Sequence, residues 1–158
     1  MTKLLLTLGG GGHTAEILKL AKLLGDKYKY HFLLVQKVQF DKNKITHPGG
    51  IYEVRRPRGR HDNLVMAMYN SFIAAWQIAA VLLRVRPDAI IGSGPAISVF
   101  ASLLGKLIGA KIIFVETGSR VTQLSQSGKI MYHIADLFLV QWPDLENKYP
   151  KVIYAGRL

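Results

Sequence analysis

Short apolar runs alternate with segments of helical periodicity along nearly the whole chain. Continuous apolar runs predict buried strands at 4–8, 31–35, 51–54, 89–91, 111–115, 137–140 and 152–154. Apolar residues at helical spacing predict helices after the glycines at 9–12, from about Asp62 to Val85, at 96–108 and 127–134, and after Pro143. The long helix should end at Val85 because Arg86 precedes a proline, which disfavours helical backbone. The polar stretch 37–50 is predicted to be a loop.

This alternation predicts the fold class. Strands that are apolar throughout are typical of parallel sheets covered by helices on both faces. We therefore predict an α/β protein with a Rossmann-like, doubly wound parallel sheet. The 158 residues, 49% of them hydrophobic, suit a single domain over 1–158 with a sizeable core. Ligands bind such sheets beyond the carboxyl ends of the strands, so the candidate site loops are 9–14, 55–61, 92–95, 116–120 and 141–143.

The glycine loop at 9–14 joins the first predicted strand to the first helix. Backbone N–H groups at a helix N-terminus can receive a phosphate or a developing negative charge, so the candidate anion ligands here are Gly10, Gly11, Gly12 and Thr14. His13 is a candidate general base or hydrogen-bond donor, although an isolated histidine can equally cap a helix or face solvent. The glycines can also serve only to turn the chain sharply.

Two familiar nucleotide-binding motifs do not fit this loop. The phosphate loop of nucleotide hydrolases ends in Lys followed by Ser or Thr, whereas Gly12 is followed by His13 and Thr14. The dinucleotide fingerprint requires an acidic residue at the end of the second strand, where this chain has Gln36. We therefore expect no nicotinamide or other cofactor, and no arrangement of His, Asp and Glu in the sequence indicates a metal site.

Two further strand-end loops can complete a polar pocket. Ser93 and Gly94 open the helix at 96–108 and offer free amides to an anion. Glu116 and Arg120 follow the fifth strand, and Glu116 is a candidate to accept a proton or bind a sugar hydroxyl. A charged residue at a strand end is, however, more often simply solvated.

A cluster of arginines follows the third strand: Arg55, Arg56, Arg58 and Arg60. The whole chain has 21 Lys and Arg against 10 Asp and Glu, a net charge of +11, which indicates an anionic partner. Clustered guanidinium groups suit phosphate oxygens or an anionic membrane surface, and a solvated basic loop is the alternative. No aromatic residue interleaves with these arginines, so a nucleic-acid partner is not predicted.

The most apolar stretch, 64–83, follows the arginines. Its twenty residues would form a helix about 30 Å long, which matches the hydrocarbon thickness of a bilayer. A membrane span and a fully buried core helix are both possible interpretations. We favour a helix that is partly in the core, because a span would uncover the sheet. The exposed remainder would then contact lipid or a partner through Met66, Met68, Phe72 and Trp76.

Cysteine usage and the start of the sequence bear on the compartment. The chain has no cysteine, which excludes disulfides, thiolate zinc sites and a cysteine nucleophile. The apolar run after Met1 reaches only Leu8 before the glycines, which is too short for a signal peptide. We therefore expect a cytosolic protein.

Five motifs together resemble a known family. They are GGGGHTAE at 9–16, GSGP at 92–95, ETGSRV at 116–121, LSQSGK at 124–129 and DLFLVQWP at 136–143. In this order, and over essentially the whole chain, they resemble the asparagine-linked-glycosylation protein fourteen family and its prokaryotic exopolysaccharide relatives. That family provides the membrane-associated subunit of the two-subunit UDP-N-acetylglucosamine transferase of the dolichol pathway.

The resemblance implies the N-terminal half of a GT-B glycosyltransferase, with a separate chain supplying the UDP-sugar-binding half. It implies an acceptor-binding, membrane-targeting subunit, inactive alone, of an enzyme that transfers N-acetylglucosamine or glucuronic acid to a polyprenyl diphosphate-linked sugar. A scaffold that recruits and stabilises a fully catalytic subunit, without contributing chemistry, is the alternative.

The resemblance also implies roles for particular residues. His13 would activate the acceptor hydroxyl, with Glu116 as the second candidate, and the acceptor diphosphate would be held by Gly10, Gly11, Gly12, Thr14, Ser93, Gly94 and Arg120. The anchor helix with which eukaryotic members begin has no counterpart at the start of this sequence. We therefore expect peripheral attachment to the cytoplasmic face of an anionic membrane through Arg55, Arg56, Arg58, Arg60, Met68, Phe72 and Trp76.

Overall fold

A computed structural model describes residues 1–36, 41–57 and 63–158. The strands are β1 (Lys3–Leu8), β2 (Lys29–Val35), β3 (Gly49–Val54), β4 (Ala89–Gly92), β5 (Lys111–Val115), β6 (Leu137–Val140) and β7 (Val152–Tyr154). The helices are α1 (Gly12–Leu24), α2 (Leu64–Val85), α3 (Ala96–Leu107), α4 (Gln126–Ile134) and α5 (Pro143–Lys148). Short 3₁₀ turns occupy Gly25–Lys27 and Lys42–Lys44.

The seven strands form one parallel sheet in the order β3-β2-β1-β4-β5-β6-β7. The order reverses beside β1, because β2 and β3 extend to one side and β4 to β7 to the other. The predicted Rossmann-like α/β fold is therefore confirmed. The glycine loop after β1 and the loop after β4 lie at this switch point, where doubly wound sheets bind ligands.

Two apolar cores lie on opposite faces of the sheet. On one face α1 packs on β1, β2 and β4, and its buried residues include Ile17, Leu18 and Ala21. On the other face α2 to α5 cover the sheet, with buried residues that include Ile78 of α2 and Ile97 of α3. Strands β1, β2, β4 and β5 contribute buried side chains to both cores, which explains why these segments are apolar throughout rather than alternating, whereas the edge strands β3 and β7 contribute to one core.

The start of α2 differs slightly from the prediction, and its end agrees with it. The N-cap is Asn63, whose side-chain oxygen accepts a hydrogen bond from the amide of Met66 at 2.8 Å. The predicted cap, Asp62, lies outside the described residues. The helix ends at Val85 as predicted, since Arg86 adopts the left-handed conformation (φ 48°) and Pro87 cannot continue the hydrogen-bond pattern.

Strand β3 begins earlier than predicted. Gly49 and Gly50 pair with Tyr30 and His31 of β2, so part of the predicted 37–50 loop is strand. A side chain at position 49 would collide with the carbonyl oxygen of Tyr30, so glycine is what lets the chain approach β2 at this point. The remaining differences are one or two residues at element ends.

Candidate functional site

The glycine loop turns the chain between β1 and α1. Gly10 and Gly11 have φ angles of 90° and 66°, which residues with side chains rarely adopt. The hydroxyl of Thr14 accepts a hydrogen bond from the amide of Gly10 at 2.8 Å, and the amide of Thr14 donates to the carbonyl oxygen of Gly11 at 3.2 Å. Gly10 and Thr14 therefore use these groups to shape the loop.

Helix α1 begins directly after this turn at Gly12. The first amides of an α-helix have no partner within the helix, and the N-cap position, Gly11, provides no side chain to bond them. A Cβ atom at Gly12 would have no heavy atom within 4 Å, so the space in front of these amides is open. This end of α1 can therefore receive an anionic oxygen.

His13 is held by contact with the loop after β4. A Cβ atom at Gly94 would overlap the His13 imidazole, and Gly94 itself has a φ of 59°. The Nδ1 atom of His13 is buried and has no hydrogen-bond partner among the described residues. The hydroxyl of Ser93 is in the same situation, and this residue is only 1% exposed. Two buried polar atoms without a hydrogen-bond partner among the described residues thus lie where the glycine loop contacts the loop after β4.

His13 and Arg120 line a common cleft at the carboxyl edge of the sheet. The cleft has a volume of about 290 Å³, and its lining residues are His13, Gly94, Pro95, Thr117, Ser119, Arg120, Ser125, Gln126 and Ser127. Helices α1, α3 and α4 all begin here, and none has an acidic residue in its first turn. The starts of α1 and α3 and the Arg120 guanidinium group therefore favour an anion in this cleft, whereas the start of α4 already lies beside the Glu116 carboxylate.

Glu116 lies beside the cleft but is completely buried. Its Oε1 accepts a hydrogen bond from the amide of Thr117 at 3.0 Å, and its Oε2 accepts from the amide and hydroxyl of Ser125 at 2.9 and 3.0 Å. Gly128 lets α4 approach, since a Cβ atom there would collide with Oε2. The carboxylate closes the loop at 117–125, and a direct catalytic role would require this loop to open.

Glu16 is a site residue that the sequence analysis did not single out. Its Oε1 accepts hydrogen bonds from the amide of Gly118 at 2.9 Å and from the hydroxyl of Thr117 at 3.2 Å. It lies three residues after His13 on α1, so both side chains project from one face of the helix. This spacing within the HTAE motif was the available signal. Glu16 links the helix that carries His13 to the loop that carries Arg120.

The Gln141-Trp142 pair after β6 supports the same loop from the other side. The Gln141 side chain donates to the carbonyl oxygen of Glu116 at 3.1 Å, and the Trp142 indole donates to that of Gly118 at 2.7 Å. The Arg157 guanidinium lies 4.4 Å from the centre of the indole ring. Within the DLFLVQWP motif, Leu137–Val140 therefore form β6, and Gln141 and Trp142 hold the loop that borders the cleft.

The arginines and α2 lie on another part of the surface. Arg55 and Arg56 are exposed after β3, whereas Arg58 and Arg60 lie outside the described residues. The amide of Arg55 donates to the side chain of Gln77 at 2.7 Å, and its guanidinium lies 5.8 Å from the centre of the Tyr69 ring. The start of the arginine segment is therefore fixed against α2.

Helix α2 is partly buried, as predicted, and the interpretation as a fully buried core helix is wrong. Its buried residues are Ala74, Ile78, Leu82 and Val85. Its 22 residues are long and apolar enough to cross a membrane by length and composition alone, with 11% of the most apolar window buried. The four predicted contact residues are exposed by 50 to 73%: Met66, Met68, Phe72 and Trp76.

No group of three or more His, Asp or Glu side chains suited to a metal ion occurs within residues 1–36, 41–57 and 63–158. The described part of the cleft offers His13, Arg120 and helix N-termini instead, a set of donors that suits an anion.

Solved structures share this fold. MurG from Acinetobacter baumannii superposes with a TM-score of 0.76 at 16% sequence identity, over 100% of this chain and 44% of that chain. The UDP-GlcNAc 2-epimerase from Neisseria meningitidis, solved with UDP-GlcNAc bound, gives 0.69 at 14% identity over 99% and 47%. The chain thus spans less than half the length of these GT-B proteins, and the likeness shows the fold alone.

Sequence comparison identifies the family. The chain is 36% identical to the UDP-N-acetylglucosamine transferase subunit ALG14 of Mus musculus, over 99% of this chain and 82% of that protein. The proteins with the same name from Homo sapiens and Schizosaccharomyces pombe are 35% and 34% identical, over 98% and 97% of this chain and 82% and 81% of theirs. The family model "Oligosaccharide biosynthesis protein Alg14 like" matches residues 4–158. The chain therefore belongs to the Alg14-like family, a family of glycosyltransferase subunits with a GT-B-like Rossmann fold.

Proposed function

We propose that this chain is the acceptor-binding, membrane-attached subunit of a heteromeric glycosyltransferase that transfers a sugar from a UDP-sugar to a polyprenyl diphosphate-linked sugar. The observation that carries the proposal is the cleft at the carboxyl edge, where the starts of α1 and α3, neither with an acidic residue in its first turn, meet Arg120 and His13. A diphosphate joined to a sugar matches this combination of positive potential and a proton-accepting side chain.

The diphosphate would lie across the starts of α1 and α3. The amides near Gly11, Gly12 and Gly94 present hydrogen-bond donors without side-chain bulk, and Ser93 adds a buried hydroxyl that lacks a partner among the described residues. Arg120, exposed on the opposite wall, would pair with the outer phosphate oxygens.

His13 would act on the acceptor hydroxyl. In the transfer, the hydroxyl oxygen bonds to the anomeric carbon of the donor sugar, the bond from that carbon to the UDP oxygen breaks, and the hydroxyl proton passes to the imidazole. No described residue forms a hydrogen bond with Nδ1 of His13. The described part of the protein therefore does not fix the tautomer of this imidazole. Glu116 and Glu16 would act as positioning residues, because their hydrogen bonds hold the wall opposite His13.

The donor would bind to a second chain. The relatives that the chain matches are named subunits of a UDP-N-acetylglucosamine transferase, and the chain covers 82% of the Mus musculus protein. The names of the relatives make UDP-N-acetylglucosamine the first donor to test and UDP-glucuronic acid the second.

Membrane attachment would be peripheral, on the cytoplasmic face. Exposed Arg55 and Arg56 would meet anionic headgroups, together with Arg58 and Arg60 of the same segment. The apolar side chains of Met68, Phe72 and Trp76, exposed by 66, 73 and 73%, would enter the interface. This arrangement would keep the subunit beside its lipid-linked acceptor.

The proposal is tested by reconstitution. The purified chain is assayed with UDP-N-acetylglucosamine or UDP-glucuronic acid and a short-chain polyprenyl diphosphate sugar, alone and with a candidate UDP-sugar-binding chain from the same organism. We expect turnover only from the pair. Turnover by the isolated chain would contradict the division of the enzyme between two chains.

His13→Ala in the same assay separates chemistry from scaffolding. We expect the variant to fold and to bind its partner, and turnover by the complex to fall roughly 100-fold or more, the usual contribution of general acid-base catalysis. Near-wild-type turnover at saturating acceptor would favour the alternative, a scaffold that contributes no chemistry. The matched control is Lys19→Ala, on the exposed side of α1.

A further inference from the structure

Exposed apolar side chains on α2 and α3 form one face of the molecule. On α2 they run from the first turn to the last: Val65 (76% exposed), Met68 (66%), Tyr69 (57%), Phe72 (73%), Trp76 (73%) and Leu83 (62%). On α3 they are Leu103 (47%) and Leu107 (82%). The apolar surface is therefore wider than the part of α2 next to the arginines.

The exposed apolar residues form one stripe along α2 and one along α3. Hydrogen bonds show which side of each helix faces its neighbours. Gln77 of α2 is bonded to the amide of Arg55, which places that side of α2 toward β3. Lys106 of α3 donates to the carbonyl oxygen of Ile134, which places that side of α3 toward α4. Successive side chains turn by about 100°, and the exposed apolar residues lie on the outward side of each helix, away from the sheet.

The far ends of the two helices meet. Leu83 near the end of α2 and Ile108 directly after α3 border the same cleft of about 470 Å³, at the amino edge of the sheet. Helix α2 also packs directly against α3 on the sheet. The two stripes consequently form one surface that extends from the carboxyl edge to the amino edge.

Basic residues predominate around this surface among the described residues, although Asp88 also lines the cleft at the amino edge. Neither α2 nor α3 contains an acidic residue, and their charged residues are Arg84 and Lys106. Arg55 and Arg56 lie at the start of α2, and Arg86 follows its end. A surface with exposed aromatic and aliphatic side chains and basic residues at both ends is complementary to an anionic lipid interface.

We propose that α2 and α3 together lie flat in the interface of an anionic membrane, with Leu83, Leu103 and Leu107 contacting lipid alongside Met68, Phe72 and Trp76. This inference rests on the proposed membrane attachment and specifies its footprint. A contact confined to the start of α2 would leave the exposed leucines at the other end in water.

The footprint determines how the cleft faces the membrane. Helices that connect parallel strands run antiparallel to them, so the strands lie along the membrane plane when both helices lie flat on it. The cleft at the carboxyl edge then opens sideways, along the surface. A lipid-linked diphosphate would approach it laterally, within the headgroup layer, rather than from directly below.

Because the chain has no cysteine, a single introduced cysteine can be labelled selectively to measure how deeply that position lies in the membrane. Single variants Met68→Cys, Leu83→Cys, Leu107→Cys and Leu23→Cys are labelled with an environment-sensitive fluorophore and mixed with vesicles of equal parts phosphatidylcholine and phosphatidylglycerol that carry brominated acyl chains. Leu23 is the matched control, because it is 70% exposed on α1, on the opposite side of the sheet. Every position is exposed, so the labels should not disturb the core.

We expect strong quenching at positions 68, 83 and 107 and none at position 23. Leu107→Ser and Leu83→Ser should each lower the vesicle partition coefficient roughly 10-fold, and Leu23→Ser should leave it unchanged. Quenching at position 68 alone would overturn the flat orientation and leave the membrane attachment standing.

Two further outcomes distinguish other failures. If no label is quenched and the wild-type chain does not bind the vesicles, the proposed membrane attachment itself fails. If the labels at positions 83 and 107 are already shielded without lipid, and light scattering gives twice the monomer mass, the face is a contact between two copies of the chain. That result would also overturn the inference.

Discussion

His13 keeps its position by packing on the α carbon of Gly94, not by a hydrogen bond to Nδ1 from the described residues. Glu116 is the opposite case, because three donors satisfy both of its carboxylate oxygens. Free hydrogen-bonding capacity is useful to a substrate, whereas satisfied capacity holds structure. At the residue scale, this difference separates the group proposed to act on the acceptor from the groups that build the wall around it.

Gly12 tests whether backbone amides hold the anion. Gly12→Ala adds a methyl group to a position with no neighbouring atom within 4 Å, so we expect the melting temperature to stay the same or rise. The methyl group would occupy the space in front of the α1 amides, and affinity for inorganic pyrophosphate should fall at least about 10-fold. Calorimetric titration and a thermal melt measure the two quantities.

Lys22→Ala, an exposed change on the same helix, controls for general effects of substitution. Unchanged pyrophosphate affinity in a folded Gly12→Ala protein would show that the anion does not bind at the start of α1.

At the scale of elements, the cleft depends on links between segments that are distant in sequence. Glu16 of α1 bonds the loop after β5, and Trp142 after β6 bonds the same loop at the carbonyl oxygen of Gly118. The loop at 117–125 thereby acquires a fixed shape although it contains no helix or strand. Two elements on its flanks decide where Arg120 stands relative to His13.

Glu16→Ala should loosen this loop. The half-buried amide of Gly118 would lose its acceptor, at a cost of about 1 kcal/mol, and hydrogen exchange at residues 117–120 should accelerate. Glu16→Gln retains an oxygen at the bonding position and should keep most of the protection. Equal exchange rates in the alanine variant and the wild type would rule out this link.

Arg55 and Arg56 are the described part of the basic segment beside α2. Each basic residue near an anionic surface contributes about 1 kcal/mol, so Arg55→Gln with Arg56→Gln should weaken vesicle binding up to roughly 30-fold, and less at high salt. Extending the change to Arg58 and Arg60 should weaken it further. Co-sedimentation with phosphatidylglycerol vesicles provides the measurement.

Lys19→Gln with Lys22→Gln, on α1 at the other side of the sheet, removes the same charge and is the matched control. Equal losses in the two double variants would mean that net charge, and not the position of the arginines, drives attachment.

At the scale of the whole molecule, the acidic residues mostly serve the fold, and the basic residues remain on the surface. Asp88 and Asp136 accept hydrogen bonds from the amides of Lys3 and Ile112, near the starts of β1 and β5. The 21 Lys and Arg side chains exceed the 10 Asp and Glu side chains by 11, and two of those carboxylates, Glu16 and Glu116, form hydrogen bonds near the cleft. The molecule therefore presents a positive field to lipid headgroups and diphosphates.

Acid should weaken the whole fold through His31. Burial, and secondarily the charges of Lys29 and Lys3, lower the pKa of this side chain from 6.5. The unfolded chain then binds a proton before the folded chain does, so the free energy of unfolding is unaffected above the unfolded pKa and falls as the pH drops below it. Urea unfolding at about pH 7.5 and about pH 5.5 measures the change.

His31→Gln should reduce this acid sensitivity, and His133→Gln, on the exposed surface of α4, is the control. An unaltered difference between the two pH values in the His31 variant would exclude this histidine as the cause.

The sequence by itself determined the fold class, the order of the elements and the edge of the sheet at which the candidate site loops lie. Apolar periodicity and the glycine, proline and capping signals are local, and the central strands are buried on both faces, so their apolar runs predict a parallel sheet directly. The exposure of Met68, Phe72 and Trp76 was predicted as well, because a long apolar helix beside a small sheet cannot bury every side.

Only the tertiary structure decided which polar side chains form hydrogen bonds within the protein and which have unused hydrogen-bonding capacity. Glu16 and Gly118 are 102 positions apart, and the burial of Glu116 depends on the approach of Ser125 and Gly128. Helices α2 and α3 present a joint apolar face only because both pack on the same side of the sheet. Hydrogen-bond satisfaction and shared surfaces arise from contacts between distant segments, and no local pattern in the chain encodes them.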